Sequence, residues 1–227
     1  MRSSLSRALL MFVCLMFPFT ARADLVFSVT LSTSEEPTLA GPSISGCLPE
    51  TAPECARPEP FGEAQFVFDG TNMTMLATIF NIDITGAQTP NDTNDNLAAA
   101  HVHVKPLATA ATGPVRWGFF GMPDNDIDPN DLVVTPFASG VGGVFTSVWN
   151  TSEGQPRNAG NPSADPIDLM ESLPSIIAGL AYLNFHTVQN PGGEIRGDLL
   201  LVSEPGTLAL LLLAIGLMFI RRVRSQR

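Results

Sequence analysis

The chain has 227 residues, of which 15% are charged and 44% are hydrophobic, and its formal net charge at pH 7 is −10. This length allows one medium domain plus processing segments, and an acidic surface repels nucleic-acid phosphates and anionic membranes. The sequence also contains no GxSxG, HExxH or phosphate-loop signature. Composition therefore argues against a nucleic-acid-binding protein, and the motifs favour a non-enzymatic one.

Residues 1–23 have the three parts of a secretory signal peptide. Arg2 and Arg7 come first, residues 8–19 are apolar, and Ala21-Arg22-Ala23 has the small residues of a cleavage site. The apolar run is too short for a membrane anchor, which is the alternative interpretation. We therefore expect signal peptidase to release a mature chain that begins at Asp24.

Alternating or β-branched runs predict strands along most of the remaining chain. They cover residues 24–33, 62–68, 73–84, 97–104, 115–120, 143–149, 182–187 and 194–201. One short helix is predicted after Asp165, which is the expected N-cap, with a bend at Pro174 and an end at Gly179. Many short strands with a single helix predict an all-β, Greek-key β-sandwich or barrel.

Two cysteines, Cys47 and Cys55, lie in a proline-rich segment of the expected mature chain. Nearby cysteines in exported proteins are usually bonded, and the absence of a CxxC motif disfavours a redox-active pair. The spacing predicts one disulfide that closes a loop.

All three histidines of the chain lie in two predicted strands. His101 and His103 are two residues apart, so their side chains share one face, and His186 lies in a strand that we expect to be adjacent. Three such imidazoles can ligate copper or zinc. The spacing resembles that of Cu/Zn superoxide dismutase, but the chain has too few histidines for that enzyme's paired-metal site. The alternative is a structural role in hydrogen bonding to loops. In either case we expect the three side chains to converge at one end of the barrel.

Two charged residues, Glu194 and Arg196, face the same side as His186 in the predicted strand pair. They are candidates for groups that support the histidines, or for a structural ion pair.

A separate acidic loop carries carboxylates at Asp124, Asp126, Asp128 and Asp131. Alternate-residue oxygens of this kind can bind calcium. Pro129 and Thr135 stand where an EF-hand has glycine and glutamate, so the loop is not an EF-hand. A solvated loop is the alternative.

Several motifs together resemble the CHRD domain, a family first named from chordin. They are Ala100-His101-Val102-His103, Tyr182-Leu183-Asn184-Phe185-His186-Thr187 and Gly193-Glu194-Ile195-Arg196-Gly197, preceded by Glu35-Glu36-Pro37 and Gly62-Glu63-Ala64. The resemblance spans roughly residues 24–201. It implies a β-sandwich or barrel, of immunoglobulin-like or Cu/Zn-superoxide-dismutase-like type, and it implies no agreed activity.

The C-terminal segment, residues 202–227, contains an apolar run at 207–220 followed by four arginines. Together with Ser203-Glu204-Pro205-Gly206 it resembles the PEP-CTERM sorting signal, although Ser203 and Gly206 differ from the residues common there. Glu204 and Pro205 are the matching core. The resemblance implies a Gram-negative bacterium, transient inner-membrane anchoring and recognition by an exosortase-type membrane protease. The alternative is a plain single-helix anchor.

These observations divide the chain into residues 1–23, 24–201 and 202–227. The main hypothesis is an exported, non-enzymatic structural or adhesive protein of the cell envelope or exopolysaccharide layer, with polysaccharide or surface proteins as partners. The alternative is a metal-binding module that uses the three histidines. Between residues 24 and 203 there are five basic and 21 acidic residues, a net charge of −16, which suits cations or simple solubility.

Overall fold

The computed structural model describes residues 24–202, apart from 38, 40, 49–51, 128 and 156–166. The predicted signal peptide, the Glu204-Pro205 motif and the C-terminal apolar run lie outside these residues. None of the helices in the described part has the length and apolar character needed to cross a membrane.

Short strands make up most of the described structure, with one α-helix. The helix, α1, is Leu169–Ile177. The strands are β1 Leu25–Ser32, β2 Phe61–Phe68, β3 Met73–Phe80, β4 Leu97–Val104, β5 Val115–Phe120, β6 Val133–Pro136, β7 Gly142–Trp149, β8 Gly154–Gln155, β9 Ile167–Asp168, β10 Ala181–Thr187, β11 Ile195–Asp198 and β12 Leu200–Leu201.

One large antiparallel sheet has the strand order β5-β4-β10-β11-β1-β2-β3-β7-β6, with β12 paired to β1. Strands β8 and β9 form a separate small pair. The sheet curls so that its two ends approach each other: Trp117 of β5 stacks on Trp149 of β7, with ring centroids 5.7 Å apart. The architecture is thus a curled, half-barrel sheet with one helix, which confirms the predicted all-β class.

The hydrophobic core fills the inside of this curl. Alternate residues of the strands point inward, and the large buried side chains include Phe27, Phe66, Phe145 and Phe185. Leu169 and Ile176, seven residues apart on α1, join the same core. The opposite face of each strand is left for polar side chains.

The helix begins later than predicted and ends where predicted. Its N-cap is Asp168, whose carboxylate accepts a hydrogen bond from the Glu171 N–H at 2.8 Å. The helix thus begins three residues later than predicted, and the predicted N-cap, Asp165, lies outside the described residues. Pro174 lies inside the helix, where it cannot donate a hydrogen bond to the carbonyl of Met170. Gly179, with φ of 72°, ends the helix as predicted.

Candidate metal centre

The three histidines lie on the face of the sheet that points away from the core. Their neighbours along β4 and β10 belong to the core, so strand alternation places the imidazoles outside it. Strands β4 and β10 pair directly, with Tyr182 opposite His103 and Asn184 opposite His101. The cluster therefore lies on the outer face of β4 and β10, the second and third strands in the sheet order. Its predicted location at one end of a barrel stays a prediction.

Each histidine adjoins an irregularity in strand pairing. The β4–β5 register shifts immediately before His101 and again immediately before His103, and the β10–β4 register shifts immediately after His186. Register shifts of this kind change the direction of a side chain relative to a regular ladder. Strand alternation brings the histidines to one face, and these shifts adjust their final orientation.

The distances bring the three rings within reach of one ion. One ligand atom from each histidine lies within 4.8 Å of the other two, and His101 Nδ1 is 3.1 Å from His186 Nε2. Tetrahedral zinc with Zn–N bonds of ~2.0–2.1 Å separates its nitrogens by about 3.4 Å. The closest pair already has this spacing, and the widest must close by roughly 1.4 Å to share an ion.

Hydrogen bonds assign the protons on all three rings. His186 Nδ1 is 3.0 Å from the carbonyl of Pro191 and His103 Nδ1 is 2.9 Å from the carbonyl of Gly113; a carbonyl can only accept, so both Nδ1 atoms carry hydrogen. The Nε2 of neutral His186 is then an acceptor, and His101 Nδ1 donates to it in the metal-free protein. An ion shared by these two atoms therefore requires that hydrogen to move to the other ring nitrogen of His101. The Nε2 atoms of His101 and His103 are left with lone pairs, buried and without a hydrogen-bond partner among the described residues.

Burial keeps the imidazoles neutral. It is the main cause that lowers the pKa of His101 to about 3 and of His103 to about 4. The neighbouring histidines lower both further, while the carbonyls of Met122 and Pro123 partly oppose the effect at His101. Burial also lowers the pKa of His186. Neutral imidazole is the form that binds a metal.

Two glycines, one in β5 and one in the loop before it, allow neighbouring backbone to lie close to the cluster. A Cβ on Gly118 would lie 1.9 Å from the carbonyl oxygen of Pro123 and 3.0 Å from the His101 ring. A Cβ on Gly113 would lie 2.0 Å from the carbonyl oxygen of Val104. Larger residues at these two positions would push the neighbouring backbone away from the histidines.

An aromatic ring and a cation extend the cluster across the sheet. The Tyr182 ring stacks on His103, with centroids 4.8 Å apart and an interplanar angle of 3°. The Arg196 guanidinium lies 4.3 Å from the Tyr182 centroid and donates to the carbonyl of Ala111 at 2.9 Å. Because β4 and β11 flank β10, the imidazole and the guanidinium occupy opposite sides of the tyrosine.

Glu194 has a different set of partners. It forms a buried ion pair with Arg57 at 2.6 Å, and it accepts hydrogen bonds from Thr187 at 2.7 Å and from Asn190 at 2.5 Å. The structure therefore places this carboxylate in a network beside the histidine strand. Arg196 is the member of the predicted pair that lies closer to the cluster, through Tyr182.

The acidic loop does not gather its carboxylates around one point in the described residues. Asp124 is exposed and accepts a hydrogen bond from the N–H of Asp126, while Asp126 and Asp131 both accept from Ser147 on β7. Asp128 lies outside the described residues. Burial raises the pKa of Asp126 to about 6. Among the residues described, the histidine cluster alone brings three potential metal ligands together.

The predicted disulfide is present, with the Cα atoms of Cys47 and Cys55 5.5 Å apart. Sequence reasoning missed the partners that complete the site, namely Arg57, Tyr182 and the carbonyls of Gly113 and Pro191. The position of Tyr182 could have been found from the sequence, since the four-residue separation from His186 along the strand places both side chains on the same face. The others lie in loops, where no periodic pattern indicates direction.

Comparison with protein-family models identifies a domain of secreted or extracellular type. The CHRD domain model matches residues 27–199. The chain belongs to the CHRD domain family. A search of curated proteins and a search of solved structures each returned no match.

Proposed function

We propose that this CHRD domain binds a first-row transition metal ion, copper or zinc, through His101, His103 and His186. One observation carries the proposal: each imidazole brings a nitrogen within 4.8 Å of the other two, and the buried Nε2 atoms of His101 and His103 have no donor among the described residues. A buried acceptor without a partner costs roughly 1–3 kcal/mol, and a metal ion would relieve that cost.

The ligand set favours copper and zinc over harder cations. Three imidazole nitrogens suit these ions, whereas calcium and magnesium prefer oxygen ligands. The depressed pKa values keep the nitrogens free of competing protons. Calcium binding by the acidic loop stays a prediction of lower rank.

The wider role that we propose is that of an exported, non-enzymatic protein of a Gram-negative cell envelope. The sequence features of residues 1–23 and 202–227 support export through signal peptidase and sorting by an exosortase-type protease. In that setting the domain would be structural or adhesive, with extracellular polysaccharide or surface proteins as partners. The finer fold assignment, to an immunoglobulin-like or Cu/Zn-superoxide-dismutase-like Greek key, also stays a prediction.

The test is the melting temperature of the mature protein and of His103→Ala, each with and without Cu²⁺ or Zn²⁺. An ion at 100 times its Kd adds about 2.7 kcal/mol to the stability, which is a rise of roughly 5–10 °C for a domain of this size. We expect the rise in the wild type and its loss in His103→Ala.

Asp124→Ala is the matched control, because it removes a carboxylate from the acidic loop and leaves the histidines intact. It should keep the metal-induced rise. If neither ion stabilises the wild type and His103→Ala lowers stability by roughly 1–3 kcal/mol through its unpaired partners, the histidines are structural and the metal proposal is wrong.

A further inference from the structure

A cavity lies between two loops of the molecule, and none of the histidines line it. Its volume is about 340 Å³, within the range of small-molecule sites. One wall is the disulfide-closed segment around Ile44 and Ala56, and the other is the loop that carries Thr89, Asp92 and Asp95.

Cross-loop hydrogen bonds hold these two walls together. Asp92 accepts from the N–H of Ser45 at 2.9 Å, and the Asn94 side chain donates to the carbonyl of Ser43 at 3.0 Å. The Cys47–Cys55 disulfide fixes the shape of the first wall. The cavity is therefore preformed, which lowers the ordering cost of binding a ligand.

Most of the cavity lining is apolar. The apolar side chains of the lining are those of Ile44, Ala56, Pro58, Pro90 and Val141. Ala56, Pro58 and Pro90 are exposed, so the cavity opens to solvent at this rim and an apolar body of moderate size can enter.

A buried carboxylate in the lining, Asp95, has a single hydrogen-bond donor among the described residues. It is 3% exposed, and the Thr89 hydroxyl lies 2.9 Å from both its oxygens. That hydroxyl has one hydrogen, which Asp83 also competes for at 3.1 Å. Asp83 receives further hydrogen bonds from the Thr85 and Gly86 region, so Asp95 is the less satisfied of the two. Burial, as the main cause, raises the pKa of Asp95 to about 6.

The positive group in the lining is already neutralised. Arg57 forms its buried ion pair with Glu194 at 2.6 Å, and this leaves Asp92 and Asp95 as the charges in the lining without a paired cation among the described residues. The net charge of the chain is also negative. The electrostatic field of this cavity favours a cation.

We propose that the cavity binds a small organic cation, with a primary ammonium group on Asp95 and an apolar body against Ile44 and Val141. An ammonium supplies three N–H donors, whereas the Asp95 carboxylate now shares the single hydroxyl hydrogen of Thr89 with Asp83. This site is independent of the proposed metal site, since the two have no residue in common.

The experiment measures binding of 2-phenylethylamine and of its neutral counterpart 2-phenylethanol to the mature protein at pH 7.5, by calorimetry and NMR titration. A charge-assisted contact should make the amine bind roughly tenfold more tightly than the alcohol. Asp95→Asn removes the charge with little change of shape and should abolish that preference. Glu63→Gln is the matched control: it makes the same charge change at an exposed residue outside the cavity, and should keep the preference.

A second variant, Ala56→Trp, fills the cavity from its exposed rim and should prevent binding of both compounds. The inference is overturned if the wild type does not distinguish amine from alcohol, if Asp95→Asn keeps the preference, or if Ala56→Trp still binds.

Discussion

At the scale of single residues, the candidate metal centre depends on three hydrogen bonds that fix the imidazole protons. Two of the acceptors are the carbonyls of Gly113 and Pro191, and the third is the Nε2 of His186. The sequence could predict that the histidines share a face, because strand alternation depends only on spacing. It could not predict these acceptors, because they are loop carbonyls whose positions depend on the whole fold.

The hydrogen bonds lead to a prediction about protonation. In metal-free protein, all three histidines should be neutral and carry hydrogen on Nδ1, and NMR of the ring nitrogens reports this directly. Their folded pKa values are lowered, so lowering the pH from 7 to 5 should leave His101 and His103 largely neutral. An unperturbed histidine is about 97% protonated at pH 5.

The unfolded chain supplies the control for this measurement. In urea the same three histidines should titrate near their ordinary pKa of about 6.5. Titration of His101 or His103 near 6.5 in the folded protein, or an Nε2–H signal from either ring, would contradict the assignment.

At the scale of elements, the strands best predicted were those with regular alternation. Strand β4 has the predicted limits of 97 and 104, and β5 those of 115 and 120. The prediction for 73–84 was too long: β3 ends at Phe80, because Asn81 adopts a φ of 62° that a regular strand does not allow. Strand β6 was missed, since its four residues include a proline and are too few to establish a period.

The ion pair between Arg57 and Glu194 joins the disulfide-closed segment to the start of β11. Glu194→Gln would leave the buried guanidinium without its counterion, and we expect a loss of roughly 3–5 kcal/mol in the free energy of unfolding. Urea denaturation measures it.

A second ion pair provides the comparison for this variant. Lys105 and Asp198 are 2.9 Å apart, but the Asp198 side chain is 38% exposed, so Asp198→Asn should cost at most about 1 kcal/mol. Equal losses in the two variants would show that burial does not determine the strength of these pairs, contrary to our expectation.

At the scale of the whole molecule, the two faces of the curled sheet carry different kinds of side chain. The inner face supplies the apolar core, and the outer face carries the histidines, with two glycines beside them. The all-β class followed from the number of short strands. The adjacency of β4 and β10 was also predicted, and their direct pairing confirms it. The rest of the strand order did not follow from the sequence, because it depends on contacts between strands that are far apart along the chain.

The two ends of the chain carry the last prediction, which concerns processing. Ala21-Arg22-Ala23 precedes Asp24, and Glu204-Pro205 precedes an apolar run with a terminal arginine cluster. We expect protein isolated from the envelope to begin at Asp24 and to lack residues 207–227, which intact mass spectrometry measures. The described domain ends its last strand at Leu201, so cleavage beyond that point leaves the sheet whole and should not change the melting temperature. An Ala21→Arg, Ala23→Arg variant, which destroys the predicted cleavage site, should retain its N-terminal segment and serves as the control. If the measured mass corresponds to a chain that begins at Asp24 and includes residues 207–227, exosortase cleavage does not occur. The protein would then be an exported domain held by a plain C-terminal anchor.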